Sequence, residues 1–243
     1  MNIRHKLAVT LAAVALVVAG TLMLTRDVIA AGEGKITGTI KLDGTPPHQR
    51  PIDMSKEPTC QKQHEGHPVT TESVVVGPNG GLQNVVVYIS EGLSGAAGTP
   101  SQSPVFDQKG CQYIPHVLNL DVNQHFKVTN DDQTSHNIHP QPTKNSEWNK
   151  SQPPGAAPID AVWANEEVAI PVKCNIHPWM HGYMVVVKGP NGVSDNNGTY
   201  TIEGVPPGSY TLTAWQETYT PQTQKVTVAA GKPTTADFTF KAK

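Results

Sequence analysis

Residues 174–180 read Cys-Asn-Ile-His-Pro-Trp-Met, and residues 135–137, some forty positions earlier, read Ser-His-Asn. A thiol, an imidazole and a thioether stand at every third position of the later stretch. Cys174, His177 and Met180 can therefore converge on one metal ion from a single tight loop, and His136 can add a second imidazole from a distant strand. Two histidines and a cysteine in a plane, with a methionine beyond it, are typical of an electron-transfer copper site. Cys-x2-His alone is less specific, because zinc sites use it too.

The wider pattern adds an Asn-x-Asp-x3-His-Asn motif at residues 130–137 to the Cys-x2-His-Pro-aromatic-Met loop. Together these motifs resemble the cupredoxin (type 1 blue copper) family, and the short ligand loop is most similar to that of amicyanin. The resemblance covers residues 82–188 and implies a Greek-key β-sandwich that binds one type 1 copper ion. Trp179 and His181 are this chain's own variations on the pattern. The pattern also resembles a set of exported methylamine-utilisation-type proteins.

The resemblance assigns a role to each matching residue. His136, Cys174 and His177 match the equatorial copper ligands, and Met180 matches the axial one. Asn137 matches the residue whose side chain ties the two ligand-bearing loops together in the family.

Two alternatives remain for the axial position. Met184 can supply the sulfur instead, as in longer ligand loops, and His181 can replace it with a nitrogen that favours Cu(II). Pro178 lies beside the thiolate and has no backbone N–H, so one fewer hydrogen bond can draw charge from the sulfur. His116, His139 and His181 are each expected to be surface residues more often than ligands.

Three cysteines leave one unpaired in an exported protein. If Cys174 binds copper, Cys60 and Cys111 remain as a disulfide. The alternative is a second metal site in which Cys60 acts with His64 and His67.

The chain begins with a basic segment, followed by an apolar run from residue 7 to residue 24 and by Val-Ile-Ala-Ala at residues 28–31. Residues 1–30 are expected to be a signal peptide, or an uncleaved membrane anchor because the run approaches the length of a bilayer span. The folded part then lies in the periplasm or outside the cell. A net charge of −2 with no run of Lys or Arg argues against a nucleic-acid partner.

Beyond the leader, the sequence predicts an all-β protein in which any helix is short. Alternating apolar and polar residues form short runs between turns rich in Gly, Pro, Asn and Asp. The polar, proline-rich stretch 141–158 is expected to be a loop without a strand. The predicted strands are 35–42, 83–90, 116–121, 125–130, 162–172 with interruptions, 183–188, 199–205, 209–216, 224–229 and 235–240.

The tail, residues 189–243, resembles a carboxypeptidase-regulatory-like (transthyretin-like) domain, a small β-sandwich. The resemblance is based on an Asp-Asn-Asn-Gly turn at 195–198, a Pro-Pro-Gly turn at 206–208 and the alternating apolar residues around them. That family has a strand before the first turn, and residues 31–81 are expected to supply it through Ile36–Ile40. The copper domain, 82–188, is then inserted into the smaller sandwich. Two sequential domains are the alternative.

The sequence therefore predicts an exported type 1 copper protein that carries single electrons and is not an enzyme. Its partner is expected to be a redox protein such as a c-type cytochrome or a dehydrogenase, with membrane contact only if the leader is uncleaved. One alternative is a copper-binding or copper-delivery protein without redox turnover. The other is a cell-surface binding module in which the metal is structural.

Overall fold

The computed structural model describes residues 32–94 and 102–242, and the predicted leader lies outside these residues. The described part is all-β, as the sequence predicts, with one short α-helix, α1 (Pro58–Gln63), and a 3-10 turn at Pro78–Gly80. The strands are β1 (Gly34–Asp43), β2 (Val86–Glu91), β3 (Val105–Lys109), β4 (Gln112–Ile114), β5 (Val117–Asp121), β6 (His125–Asn130), β7 (His136–Pro140), β8 (Lys150–Gln152), β9 (Ile159–Val162), β10 (Glu167–Lys173), β11 (His181–Val187), β12 (Asn191–Val193), β13 (Thr199–Val205), β14 (Gly208–Trp215), β15 (Gln222–Val228), β16 (Pro233–Thr235) and β17 (Phe238–Lys241).

One sandwich combines the beginning and the end of the described chain. Strand β1 pairs antiparallel with β13 and parallel with β16 and β17. The facing sheet has the order β12-β2-β14-β15. Inward residues of both sheets, such as Ile36, Ile40 and Leu212, are fully buried in one core. Strand β1 thus lies in the sheet of the C-terminal strands, next to the Asp-Asn-Asn-Gly turn.

The sequence predicts that the copper domain begins at residue 82, but strand β2 lies in the smaller sandwich. It pairs with β14 and β12, and Leu82, Val85, Val87 and Ile89 belong to the core of the same sandwich as β1. The reason is that these apolar side chains fill the face opposite β1 and β13, which the small sandwich needs to cover. Segment 82–91 is therefore part of the smaller sandwich.

The second sandwich holds the predicted ligands. One sheet has the order β5-β11-β10-β7-β8 and the other the order β4-β3-β6-β9. Their shared core includes Phe106, Phe126, Trp163 and Met184.

Strand β8 corrects the expectation that residues 141–158 contain no strand. It pairs antiparallel with β7. Polar contacts hold it in place. The buried Gln152 side chain accepts a hydrogen bond from the Gln108 amide and donates one to the Val128 carbonyl. An apolar alternation could not reveal a strand held by a buried amide.

Helix α1 and the disulfide Cys60–Cys111 pack beside the second sandwich, in a small cluster with Met54 and Trp179. The predicted disulfide is confirmed, and the loop that it closes spans 51 residues. In the chain-entropy description such a cross-link stabilises the fold by about 4 kcal/mol. Among residues 32–94 and 102–242, no helix has the length and apolar character needed to cross a membrane.

Candidate metal centre

Two segments bring the candidate ligands together. His136 begins β7, while Cys174, His177 and Met180 lie on the loop between β10 and β11. Two backbone hydrogen bonds close this loop, from the Cys174 N–H to the Met180 carbonyl (3.0 Å) and from the Met180 N–H to the His177 carbonyl (2.9 Å). Strand β10 pairs with both β7 and β11, so the β10–β11 loop lies next to His136 at the end of the same sheet.

The three nitrogen and sulfur donors of His136, Cys174 and His177 lie within 4.8 Å of one another. The Nδ1 atoms of the two histidines are 2.9 Å apart, and the Cys174 Sγ is 3.8 Å from the His177 Nδ1. Both histidines are 0% exposed and Cys174 is 3% exposed. The structure therefore holds two imidazoles and a thiol around one small, water-poor point.

Charges at this point favour a thiolate. Burial opposes ionisation of Cys174, but the hydrogen bond with His136 and the nearby backbone N–H groups outweigh it and lower the pKa of the thiol. Burial likewise acts to lower the pKa of His136, yet Asp132 and Cys174 raise it above its usual value. Burial and the neighbouring His136 lower the pKa of His177. The pKa shifts of Cys174 and His136 thus reflect the attraction between these two side chains, and the pKa of His177 shifts in the direction that favours its neutral form.

Asp132 orients the first histidine. Its Oδ2 accepts hydrogen bonds from the His136 Nε2 (2.8 Å) and the Cys111 N–H (2.7 Å), and its Oδ1 accepts one from the Gly110 N–H (2.8 Å). Gly110 and Cys111 both have positive φ, as a tight turn between β3 and β4 requires. The Nδ1 of His136 is therefore left for the metal, in the carboxylate–histidine arrangement common at metal sites. The i, i+4 spacing of Asp132 from His136 is the signal for this contact in the sequence.

Asn137 links the two ligand-bearing segments. Its Oδ1 accepts a hydrogen bond from the Asn175 N–H (2.7 Å) and lies 3.4 Å from the Cys174 Sγ, while its Nδ2 donates to Asn149 (2.7 Å). Pro178 follows His177 in the same loop and offers no N–H to the sulfur. The amide of Asn137 therefore holds Cys174 near His136 through the loop backbone.

The edge of His177 is covered by neighbouring side chains. Its Nε2 lies 3.9 Å from both the Cys60 Sγ and a Glu57 carboxylate oxygen. The Trp179 ring lies beside it at 5.1 Å between centroids, and its indole N–H donates to the Cys111 carbonyl (3.2 Å). The disulfide holds α1 over the histidine, so we call α1 the cover helix.

The remaining candidates have other partners. Cys60 is in the disulfide and so cannot join a thiolate site with His64 and His67, and His64 contacts the Gly110 carbonyl at 2.7 Å. His139 contacts Glu147 and Asn175.

For the axial position, Met184 is fully buried and its sulfur accepts a hydrogen bond from the Trp163 indole (3.4 Å). The Nδ1 of His181 donates to the Trp179 carbonyl (3.0 Å), and its ring packs against His116. Met180 is 1% exposed and lies in the core cluster that contains Cys174. Both rivals are thus engaged by other groups.

Comparisons with known proteins found one family model and several solved structures. Residues 182–241 match the carboxypeptidase regulatory-like domain, although the structure places 182–187 in the sheet of the candidate ligands. No curated protein matches the chain. A purple cupredoxin from Nitrosopumilus maritimus is 21% identical over 35% of this chain and 99% of its own, with a TM-score of 0.30. A mutant of amicyanin in its Cu(I) form is 20% identical over 41% of this chain and 97% of its own, with a TM-score of 0.31.

A copper-containing nitrite reductase from Thermus scotoductus SA-01 is 16% identical over 39% of this chain, with a TM-score of 0.33. The present chain covers only 24% of that protein. Because these TM-scores are low, the identity of the metal depends on the donors themselves.

Copper fits those donors. The two Nδ1 atoms are too close for both to carry a proton, and the thiol already has a lowered pKa. A cation between them would replace the shared proton and satisfy all three groups. A thiolate with two imidazoles suits Cu(I) and Cu(II), and Met180, in the same core cluster as Cys174, has a thioether of the kind that copper binds.

Proposed function

We propose that this chain is an exported type 1 copper protein that carries single electrons between redox partners. The observation that supports the proposal most directly is the convergence of His136, Cys174 and His177 in a buried, preformed arrangement. A copper ion bound there would supply one-electron redox chemistry. The hydrogen bonds from Asp132 and Asn137 hold the donors in place, so they need to move little when the charge at the site changes.

Burial favours an electron carrier over a copper-delivery protein. Transfer of a metal by ligand exchange needs a donor that an incoming ligand can reach. His136, Cys174 and His177 are all nearly or fully inaccessible, and the cover helix is fixed by a disulfide above His177. Electrons can cross a short packed barrier, whereas a metal ion cannot cross it without opening the structure.

We place Met180 as the fourth, axial ligand. The support is that the sulfur of Met184 is engaged by Trp163 and the ring of His181 by Trp179 and His116. Replacing Met180 by Gln introduces an oxygen donor, so Met180→Gln should lower the reduction potential and leave copper bound. Met184→Leu is the matched control. A larger shift from Met184→Leu than from Met180→Gln would transfer the axial role to Met184.

An electron that enters or leaves through His177 must pass the groups that cover this histidine. The Nε2 of His177 contacts Cys60 and faces Glu57, and its ring lies beside Trp179. We therefore propose that a partner docks over the cover helix and Trp179. This partner would be a redox protein such as a c-type cytochrome or a dehydrogenase, in the periplasm or outside the cell. No catalytic role is proposed.

Absorption spectroscopy and electrochemistry test the proposal. Purified protein given one equivalent of Cu(II) should develop an intense visible thiolate-to-copper band that is lost on reduction and restored on oxidation. His125→Ala, which removes a histidine away from the centre, should show the same band. His125 is exposed and pairs only with Asp160 among the described residues. A colourless copper complex that quickly releases its metal to a chelator would instead support a copper-delivery role. Stable binding without reversible reduction would support a structural metal.

A further inference from the structure

A second group of donors lies between the two sandwiches. His116 precedes β5 and His181 begins β11, both in the sandwich of the copper ligands, whereas Glu217 follows β14 of the other sandwich. One ligand atom from each lies within 4.8 Å of the other two. Within residues 32–94 and 102–242, this is the one such group that does not include His136.

His116 is the centre of this group and has an unsatisfied nitrogen. Its side chain is 2% exposed, and its Nε2 lies 2.6 Å from a Glu217 carboxylate oxygen. Its Nδ1 has no hydrogen-bond partner and lies 3.6 Å from a Glu72 carboxylate oxygen. A buried ion pair between His116 and Glu217 involves only the Nε2 of the ring. It leaves the Nδ1 and the facing Glu72 carboxyl group without a hydrogen bond to each other.

His181 is oriented to complete the set. Its Nδ1 donates to the Trp179 carbonyl, so the Nε2 is the ring nitrogen that is available to a metal. The His116 and His181 rings meet edge to face, with centroids 5.5 Å apart. Glu72 is held nearby by a hydrogen bond from the Gln112 amide (3.2 Å).

Charge favours a cation at this position. Two carboxyl groups, those of Glu72 and Glu217, face the His116 imidazole. Burial raises the pKa of Glu72, while the neighbouring histidines act in the opposite direction. A divalent ion would neutralise both carboxylates at once.

We propose that His116, His181 and Glu217 bind a divalent transition-metal ion, Zn²⁺ or Cu²⁺, and that the Glu72 carboxyl group lies beside this site without binding the ion. Imidazole and carboxylate donors suit these two ions. Because Glu217 comes from the other sandwich, the ion would also cross-link the two sandwiches. His181 directly follows Met180, so the second ion would adjoin the loop that carries Cys174. The site does not depend on the proposed function.

The test is metal stoichiometry and affinity by equilibrium dialysis and titration calorimetry with Zn²⁺. Protein already loaded with one equivalent of copper should bind one equivalent of Zn²⁺. His116→Ala and Glu217→Gln should each weaken this binding by more than about 10-fold and leave the visible copper band unchanged. Glu217→Gln keeps a hydrogen-bonding oxygen beside His116, so it guards against a loss that reflects misfolding. His125→Ala is the matched control and should bind as the wild type does.

The same variants are then made in a Cys174→Ser background, which lacks the thiolate of the first centre. There too, His116→Ala and Glu217→Gln should each remove one equivalent of Zn²⁺, whether or not the first centre proves to be an electron carrier. Wild-type protein that binds no additional Zn²⁺ would overturn the second site. So would variants of both His116 and Glu217 that retain wild-type affinity.

Discussion

Replacing Asp132 by Asn tests whether one carboxylate supports both the fold and the metal centre. The side chain is 1% exposed and accepts three hydrogen bonds, from His136, Cys111 and Gly110. An amide has one oxygen where the carboxylate has two, and its NH2 group would face a buried donor. Asp132→Asn therefore leaves at least one buried N–H without an acceptor.

The magnitude follows from these contacts. An unsatisfied buried donor costs about 1–3 kcal/mol, and a hydrogen bond to a charged group contributes about 1.5–3 kcal/mol. The Asn side-chain oxygen can still accept some of these three hydrogen bonds. We therefore expect Asp132→Asn to lower the free energy of unfolding of the metal-free protein by about 2–4 kcal/mol. Loss of the carboxylate behind His136 should also weaken copper binding by about 10–100-fold.

Urea denaturation and copper competition against a chelator measure the two effects. The matched control is Asp131→Asn, because Asp131 is the adjacent residue but is exposed and meets Lys109 at 3.8 Å. An exposed pair of this kind contributes no more than about 1 kcal/mol, and copper affinity should be unchanged. If Asp132→Asn and Asp131→Asn behaved alike in both assays, the supporting role of Asp132 would be wrong.

Three further predictions concern colour, the cover helix and pH. Cys174→Ser should abolish the visible band while the sandwich stays folded by circular dichroism; an intense band in this variant would refute the copper–thiolate assignment. The double variant Cys60→Ala, Cys111→Ala should free α1, and a chelator should then remove copper at least about 10-fold faster than from the wild type; an unchanged rate would mean that the disulfide does not limit access. Burial raises the pKa of Asp121 to about 6, so the folded protein holds this proton more tightly than the unfolded chain does. The ionised carboxyl therefore destabilises the fold increasingly as the pH rises from about 4 to about 6. Asp121→Asn should therefore raise stability near neutral pH by about 1 kcal/mol, a value reduced because the carboxyl is half-buried, and the gain should disappear as the pH falls towards about 4; equal gains at both pH values would contradict the assignment.

The candidate donors could be recognised in the sequence because their grouping depends on local spacing. Cys174, His177 and Met180 lie on one short loop, so their chemistry and their ability to converge are visible in seven residues. The alternating apolar residues likewise predicted most of the strands, including β6 and β13 with their observed bounds. The pairing of Cys60 with Cys111 followed from counting cysteines, once Cys174 was assigned to the metal.

Other features depend on contacts between residues far apart in the chain. The same alternation makes β2 a strand but does not say which sheet it joins, and here the unfilled face of the smaller sandwich decides. Gln152 makes β8 a strand through buried amide contacts that carry no apolar pattern.

The environment of the candidate centre was decided by tertiary structure alone. His177 is covered by Cys60, 117 positions away in the chain, and His116 meets Glu217, 101 positions away. Local spacing determines which donors can share a metal ion, because short loops have few conformations. Burial, second partners and access depend on how distant segments pack, because each is set by surfaces that come together only in the folded chain.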